Sequence, residues 1–115
     1  MPRIFLILTA LLMSISANAY TCKGLVTGVS IEASTGDLLV ESIGPLKWPR
    51  LCRVDNEVRG ISAEACKVVY STLLAAQTSN KPVTLWFNDD KDCSVDSHTP
   101  WRTLTGWYFG PMLGN

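Results

Sequence analysis

Few residues in this chain carry chemistry in their type and spacing. His98, the single histidine, shares one short loop with Ser94, Asp96 and Ser97. A serine hydrolase draws its serine, histidine and carboxylate from separate elements, so a cluster inside one loop does not supply that geometry. His98 is therefore expected to be a solvated loop histidine rather than a base. The run Asn88-Asp89-Asp90-Lys91-Asp92 gathers oxygen ligands as a calcium loop does. It lacks the glycine and the closing glutamate of such a loop, and Lys91 places a positive charge among the ligands, so it reads as a polar turn. No catalytic set results and no cofactor is implied, so an enzyme is not expected.

The sulfurs and the indoles are more informative. Cys22, Cys52, Cys66 and Cys93 are separated by 29, 13 and 26 residues and form no CxxC pair. Zinc sites and redox enzymes use close cysteine pairs, whereas an even number of scattered cysteines in a small exported chain reads as two structural disulfides. Trp48, Trp86, Trp101 and Trp107 are many large rings for so short a chain. Tryptophan is enriched at binding hot spots, and exposed rings stack on sugar faces or fill a partner's pocket. The competing assignment places all of them in the core.

The elements that must position these residues follow from periodicity. Residues 22–32 alternate as one strand, with Leu25, Thr27, Val29 and Ile31 on one face. The turn formers of Ala33-Ser34-Thr35-Gly36-Asp37 lead into an extended segment, 38–43, so the two form an antiparallel hairpin. Gly44-Pro45 and Pro49 punctuate the chain before a short third strand at 51–54. Ser62 is placed to cap a helix over 63–77, with Glu64 at its positive end and Cys66, Val69, Tyr70, Leu73 and Ala76 on one stripe.

Thr78-Ser79-Asn80-Lys81 ends the helix and Pro82 prevents its return, and 82–88 makes a fourth strand with Val83, Leu85 and Phe87 turned to the helix. That places Trp86 on the opposite face as the leading recognition residue, with Trp101 and Trp107 as further binding candidates. A last strand is expected over 101–109, interrupted at Gly106 and closed by Gly110-Pro111. Three strands, a helix and two strands make a small antiparallel α+β domain. The order is that of an OB-like, partly open five-stranded barrel with its helix between strands 3 and 4.

Because Cys66 shares the apolar stripe, its sulfur points at the sheet and can meet Cys22 or Cys52. Cys22 with Cys66 and Cys52 with Cys93 is the preferred pairing, since the second bridge ties two strand ends. Cys52 with Cys66 would close the shortest loop, and Cys22 with Cys52 plus Cys66 with Cys93 is the third connectivity.

The amino-terminal end explains the sulfur chemistry. Met1-Pro2-Arg3 precedes an uncharged apolar run, 4–13, and then Ala17-Asn18-Ala19, with small residues at the two positions a signal peptidase reads. The run is too short for a stable membrane anchor, which needs about 20 apolar residues. Residues 1–19 are thus expected to be a cleavable signal, and 20–115 a single disulfide-bonded domain in the periplasm or outside the cell. That domain carries nine cations against ten carboxylates, scattered evenly. Nucleic acid and membrane surfaces are not expected partners, since both require clustered positive charge.

The pattern of Cys52, Gly60-Ile61-Ser62, Cys66-Lys67, the segment 70–77, Lys81-Pro82-Val83-Thr84-Leu85-Trp86-Phe87 and Cys93 resembles a group of small exported, disulfide-bonded proteobacterial proteins of unassigned function. More remotely, the order of strand cysteine, helix, polar turn and Val-rich strand is similar to the B subunits of pentameric bacterial toxins. That likeness implies an OB-type fold, glycan binding and the option of a homo-oligomer; it carries over no individual glycan-binding residue. The expectation is an exported, non-enzymatic binding module for a glycan or for an envelope or extracellular protein. The alternative is a structural or accessory envelope protein. Exported protein is expected to begin at Tyr20 and to be lighter by four thiol hydrogens before reduction than after it. Intact mass with and without reductant checks both points, and a retained leader or free thiols would contradict them.

Overall fold

The computed structural model describes residues 19–114, so the expected signal segment lies outside the described residues except for Ala19. The chain is α+β, with one helix and two small, almost wholly antiparallel sheets. In order, the elements are β1 (Tyr20–Thr27), β2 (Ser30–Glu32), β3 (Asp37–Leu39), β4 (Ser42–Ile43), β5 (Leu46–Lys47), β6 (Arg50–Arg53), α1 (Ala63–Ser79), β7 (Pro82–Phe87) and β8 (Trp107–Leu113). Five strands form one sheet in the order β5-β4-β1-β7-β8, and three form the other in the order β2-β3-β6.

The first expected strand is two strands, and its inward face changes across the break. Gly28 takes a φ of 65°, a left-handed conformation that only glycine adopts without steric cost, so β1 ends at Thr27 and the chain turns into the second sheet. Cys22 and Val26 are buried while Leu25 is exposed. Beyond Gly28 the other face turns inward, and Val29 and Ile31 pack against the core. The second segment bends in the same way between Leu39 and Ser42, so that β3 pairs with β2 and β4 pairs with β1. The chain crosses again between Lys47 and Arg50, where Trp48 has a φ of 50°, and the expected third strand is β6, wholly within the second sheet. The first two expected strands thus each pass from one sheet into the other.

The two sheets also meet through the loop ahead of β8. Arg50 and Thr103 form the single parallel bridge among the described residues, with Arg50 N donating to the Arg102 carbonyl at 3.2 Å and Leu104 N donating to the Arg50 carbonyl at 2.8 Å. This corrects the expected last strand, which starts at Trp107 rather than Trp101 and runs on through Gly110-Pro111 to Leu113. Thr103 contributes one bridge, not a strand, because Arg50 is its sole ladder partner.

The helix is as the sequence indicates. Ser62 Oγ accepts from Ala65 N at 3.0 Å, and Asn80, at φ 57°, closes the other end. Cys66, Leu73 and Ala76 are fully buried against Leu38, Val40, Ile43, Leu51, Val83, Leu85 and Phe87. No described helix is long and apolar enough to cross a membrane.

Two disulfides fasten this frame, and they are not the preferred pair. Cys22 joins Cys93, and Cys52 joins Cys66. Cys22 lies opposite Leu85 on the strand next to β7, whose end leads into the Cys93 loop. Cys52 lies on β6, under the first turns of the helix, and so takes Cys66. Both bridges fit an oxidising compartment. Restricting the unfolded chain is worth about 3 kcal/mol for a loop the size of Cys52–Cys66 and about 4 kcal/mol for one the size of Cys22–Cys93. Paired Cys→Ala variants should lose stability in that order in urea unfolding; an equal or reversed order would contradict the chain-entropy origin.

Candidate functional site

The site begins at one guanidinium. Arg50 Nη1 donates to Glu32 Oε1 at 2.9 Å and to Asp37 Oδ2 at 2.8 Å, and Nη2 donates to Glu32 Oε2 at 3.1 Å. Its Nε donates to the Trp101 carbonyl at 2.8 Å. The rigid fork of arginine suits this division, since a carboxylate can take two parallel bonds while the remaining donor reaches elsewhere. Thr35 completes the cluster with its hydroxyl 2.7 Å from Glu32 Oε1 and 2.9 Å from Asp37 Oδ2. One residue therefore joins the β2–β3 turn to the loop between β7 and β8.

On this support stand Trp48 and Trp101. Trp101 N donates to the Trp48 carbonyl at 2.9 Å, and the indoles stack with centroids 4.4 Å apart and planes 11° from parallel. Both residues have positive φ, 50° and 71°. Bulky side chains rarely occupy that region, and such outliers persist where the surroundings impose them and cluster at binding and active sites. Trp101 is nevertheless 53% exposed. A strained backbone that holds a large ring in water does not serve the core.

Beside the stack is a cavity of about 300 Å³. Lys47, Lys91 and Arg102 line it together with His98, Thr103 and Thr105, and no carboxylate does. Lys47 directly precedes Trp48, and Arg102 directly follows Trp101. His98 is not solvated as expected but buried, with 7% of its surface exposed. The loop folds back over the end of β1 and β7, laying the imidazole against Phe87 with centroids 5.0 Å apart.

The Tyr20 hydroxyl lies 2.6 Å from Asp89 Oδ1 and 3.0 Å from His98 Nε2. The phenol has one proton and the carboxylate is the stronger acceptor, so Tyr20 donates to Asp89 and His98 Nε2 carries the hydrogen that points at Tyr20. Burial, then the bond and charge of Asp89, hold the phenol protonated well above its ordinary range. Burial likewise pushes the His98 pKa down, opposed in part by Asp89. The acidic run is used within its own loop: Asp89 Oδ1 also accepts from Lys91 N, while Asp92 Oδ1 accepts from Ser94 N and the Ser97 hydroxyl.

The three binding candidates named from sequence do not converge. Trp101 belongs to the site. Trp86 is half-buried on the outer face of the five-stranded sheet, edge-on to Phe109 at 5.1 Å. Trp107 packs between β8 and the start of α1, lining a separate cleft with Ile61, Ala65 and Val69. Sequence reasoning missed Trp48, Arg50, Lys47, Lys91 and Arg102 as a group. The one local signal was that Trp48 and Trp101 each adjoin a proline, Pro49 and Pro100.

Set against known proteins, the chain matches no family model, no curated protein and no solved structure.

The Arg50 cluster has a pH signature. Its hydrogen bonds, from Arg50 first and Thr35 second, lower the Glu32 pKa from 4.5 to about 2. A carboxylate depressed in the folded state contributes stability that is complete above its unfolded pKa and lost as pH falls through the folded one. Thermal melts should show the wild type losing stability between pH 4.5 and about 2, with Glu32→Gln flatter over that window. Parallel wild-type and variant curves would contradict the assignment.

Proposed function

We propose that this chain is an exported, non-enzymatic binding module on an OB-type barrel, and that it recognises a glycan through the Trp48–Trp101 face. The observation that carries the reading is the stacked pair of tryptophans, both held at positive φ, with Trp101 open to solvent and Trp48 half-buried beneath it. The strand order supports the barrel. Joined across their bends, β1–β2, β3–β4 and β5–β6 make three long strands, the helix follows, and β7 and β8 are the fourth and fifth. The first strand pairs with the fourth, the fourth with the fifth, and the third meets the loop leading into the fifth in parallel at Arg50 and Thr103.

In OB folds the ligand face is formed by strands 2 and 3 with the loops between strands 1 and 2 and between strands 4 and 5. The corresponding parts here are the Thr35 turn, Trp48 and the Trp101 loop, which Arg50 ties together. The non-enzymatic part of the reading is supported by His98, whose Nε2 is engaged with Tyr20. The two disulfides support export, to the periplasm or beyond.

A second reading, a protein partner or a second copy of the chain, is favoured by β8. It is an edge strand with Tyr108, Phe109, Met112 and Leu113 exposed, and an apolar edge is a pairing surface.

Trp101→Gly separates these readings. Glycine accepts the backbone conformation freely, so the loss of one ring stack should leave stability within about 1 kcal/mol of wild type. On a glycan array, wild type should bind and Trp101→Gly should not, while Trp86→Ala should bind as wild type. Binding that survives Trp101→Gly and is lost in Phe109→Ser would move recognition to β8; no binding to any sugar would remove the glycan reading.

A further inference from the structure

The cavity beside the stack has a chemistry of its own. Lys47 comes from β5, Lys91 from the loop just after β7, and Arg102 from the segment paired to Arg50, so three separate stretches of chain bring cations to one hollow. Among the described residues none of the three takes part in an ion pair, in contrast to Arg50, Arg53 and Lys67, which do. Four carboxylates each have an oxygen engaged elsewhere. Glu32 and Asp37 face Arg50, Asp89 holds Tyr20, and Asp92 holds Ser94 and Ser97. A hollow lined by three exposed cations that have no ion-pair partner among the described residues, together with hydroxyls and no acid, is a local excess of positive charge that favours an anion.

From this we infer that the cavity receives an oxyanion group, a carboxylate, sulfate or phosphate, carried by the ligand whose ring lies on Trp101. The inference rests on the Trp48–Trp101 reading. Arginine presents a planar fork and lysine a point charge, and both make their strongest hydrogen bonds to oxyanions. Thr103 and Thr105 offer hydroxyl donors beside them. The volume of about 300 Å³ admits one substituted sugar ring or a comparable group rather than a long chain. His98 lines the same cavity and is held by Tyr20 at 3.0 Å, which fixes that part of its wall.

The test uses the mature disulfide-bonded protein and two probe sets. The first is a panel of matched glycans that are neutral, carboxylated, sulfated or phosphorylated; the second is inorganic sulfate and phosphate followed by amide NMR. The acidic member of a matched pair should bind about tenfold tighter than the neutral one, and Lys47→Gln, Lys91→Gln or Arg102→Gln should each erase about that factor while leaving the melting temperature unchanged. Free anions should shift the amides of 98–105 and leave those of 66–76 in place. Which acidic member prevails identifies the oxyanion. Equal binding of neutral and acidic partners that still depends on Trp101, with no effect of the three variants, overturns the oxyanion site and leaves the glycan reading intact. Anion shifts at the cavity without binding of any glycan would retain the oxyanion site and discard its sugar carrier.

Discussion

Arg50 is the residue on which the closure of this small domain depends. Its main chain forms the one parallel bridge among the described residues, from β6 to the loop before β8, and its side chain donates to two carboxylates while holding the Trp101 carbonyl. A half-buried ion pair is often a poor source of stability, because the desolvation of both charges offsets their attraction. Here the geometry changes that balance. The guanidinium places every donor that reaches inward on a fixed acceptor, and it joins stretches of chain that are far apart in sequence. The gain is in positioning, since one planar group sets the turn after β2 and the loop before β8 at a defined separation.

The remaining constraints share this character. A domain of this size buries only a modest fraction of its surface, so its core alone holds a long loop weakly. The loop between β7 and β8 is accordingly tied at several places: by Cys93 to β1, by Asp89 and His98 to Tyr20, and by Trp101 and Leu104 to the Trp48–Arg50 segment. The two positive-φ tryptophans are tolerated because they fall at these ties, where backbone hydrogen bonds offset their strain.

How much of this was legible in the sequence varied with the range of the interaction. The helix with its Ser62 cap, the inward stripe through Cys66 and Leu73, and the strand from Pro82 to Phe87 depend on local periodicity and were readable. The facing of β1 was not, because one left-handed glycine reverses which residues of a continuous apolar alternation point inward, and Gly28 looks like any small residue in a strand. The extent of the last strand was misread because the aromatic residues from Trp101 to Phe109 suggest one strand, while β8 runs through Gly110-Pro111, which reads as a terminator. The cysteine pairing and the candidate site share a cause. Both bring together residues from different elements, Cys22 with Cys93 or Lys47 with Arg102, and their proximity follows from how the strands cross between sheets.

The division of labour within the β7–β8 loop has an evolutionary consequence. Its first foot is a covalent sulfur link and its last is a ladder of main-chain amides, neither of which depends on the identity of Ser94, Val95, Asp96 or Thr99. Those intervening positions are mostly exposed and can drift without loosening the anchorage. A frame of this kind can acquire new specificities by exchanging a few surface side chains between two fixed posts, much as a handle accepts interchangeable blades.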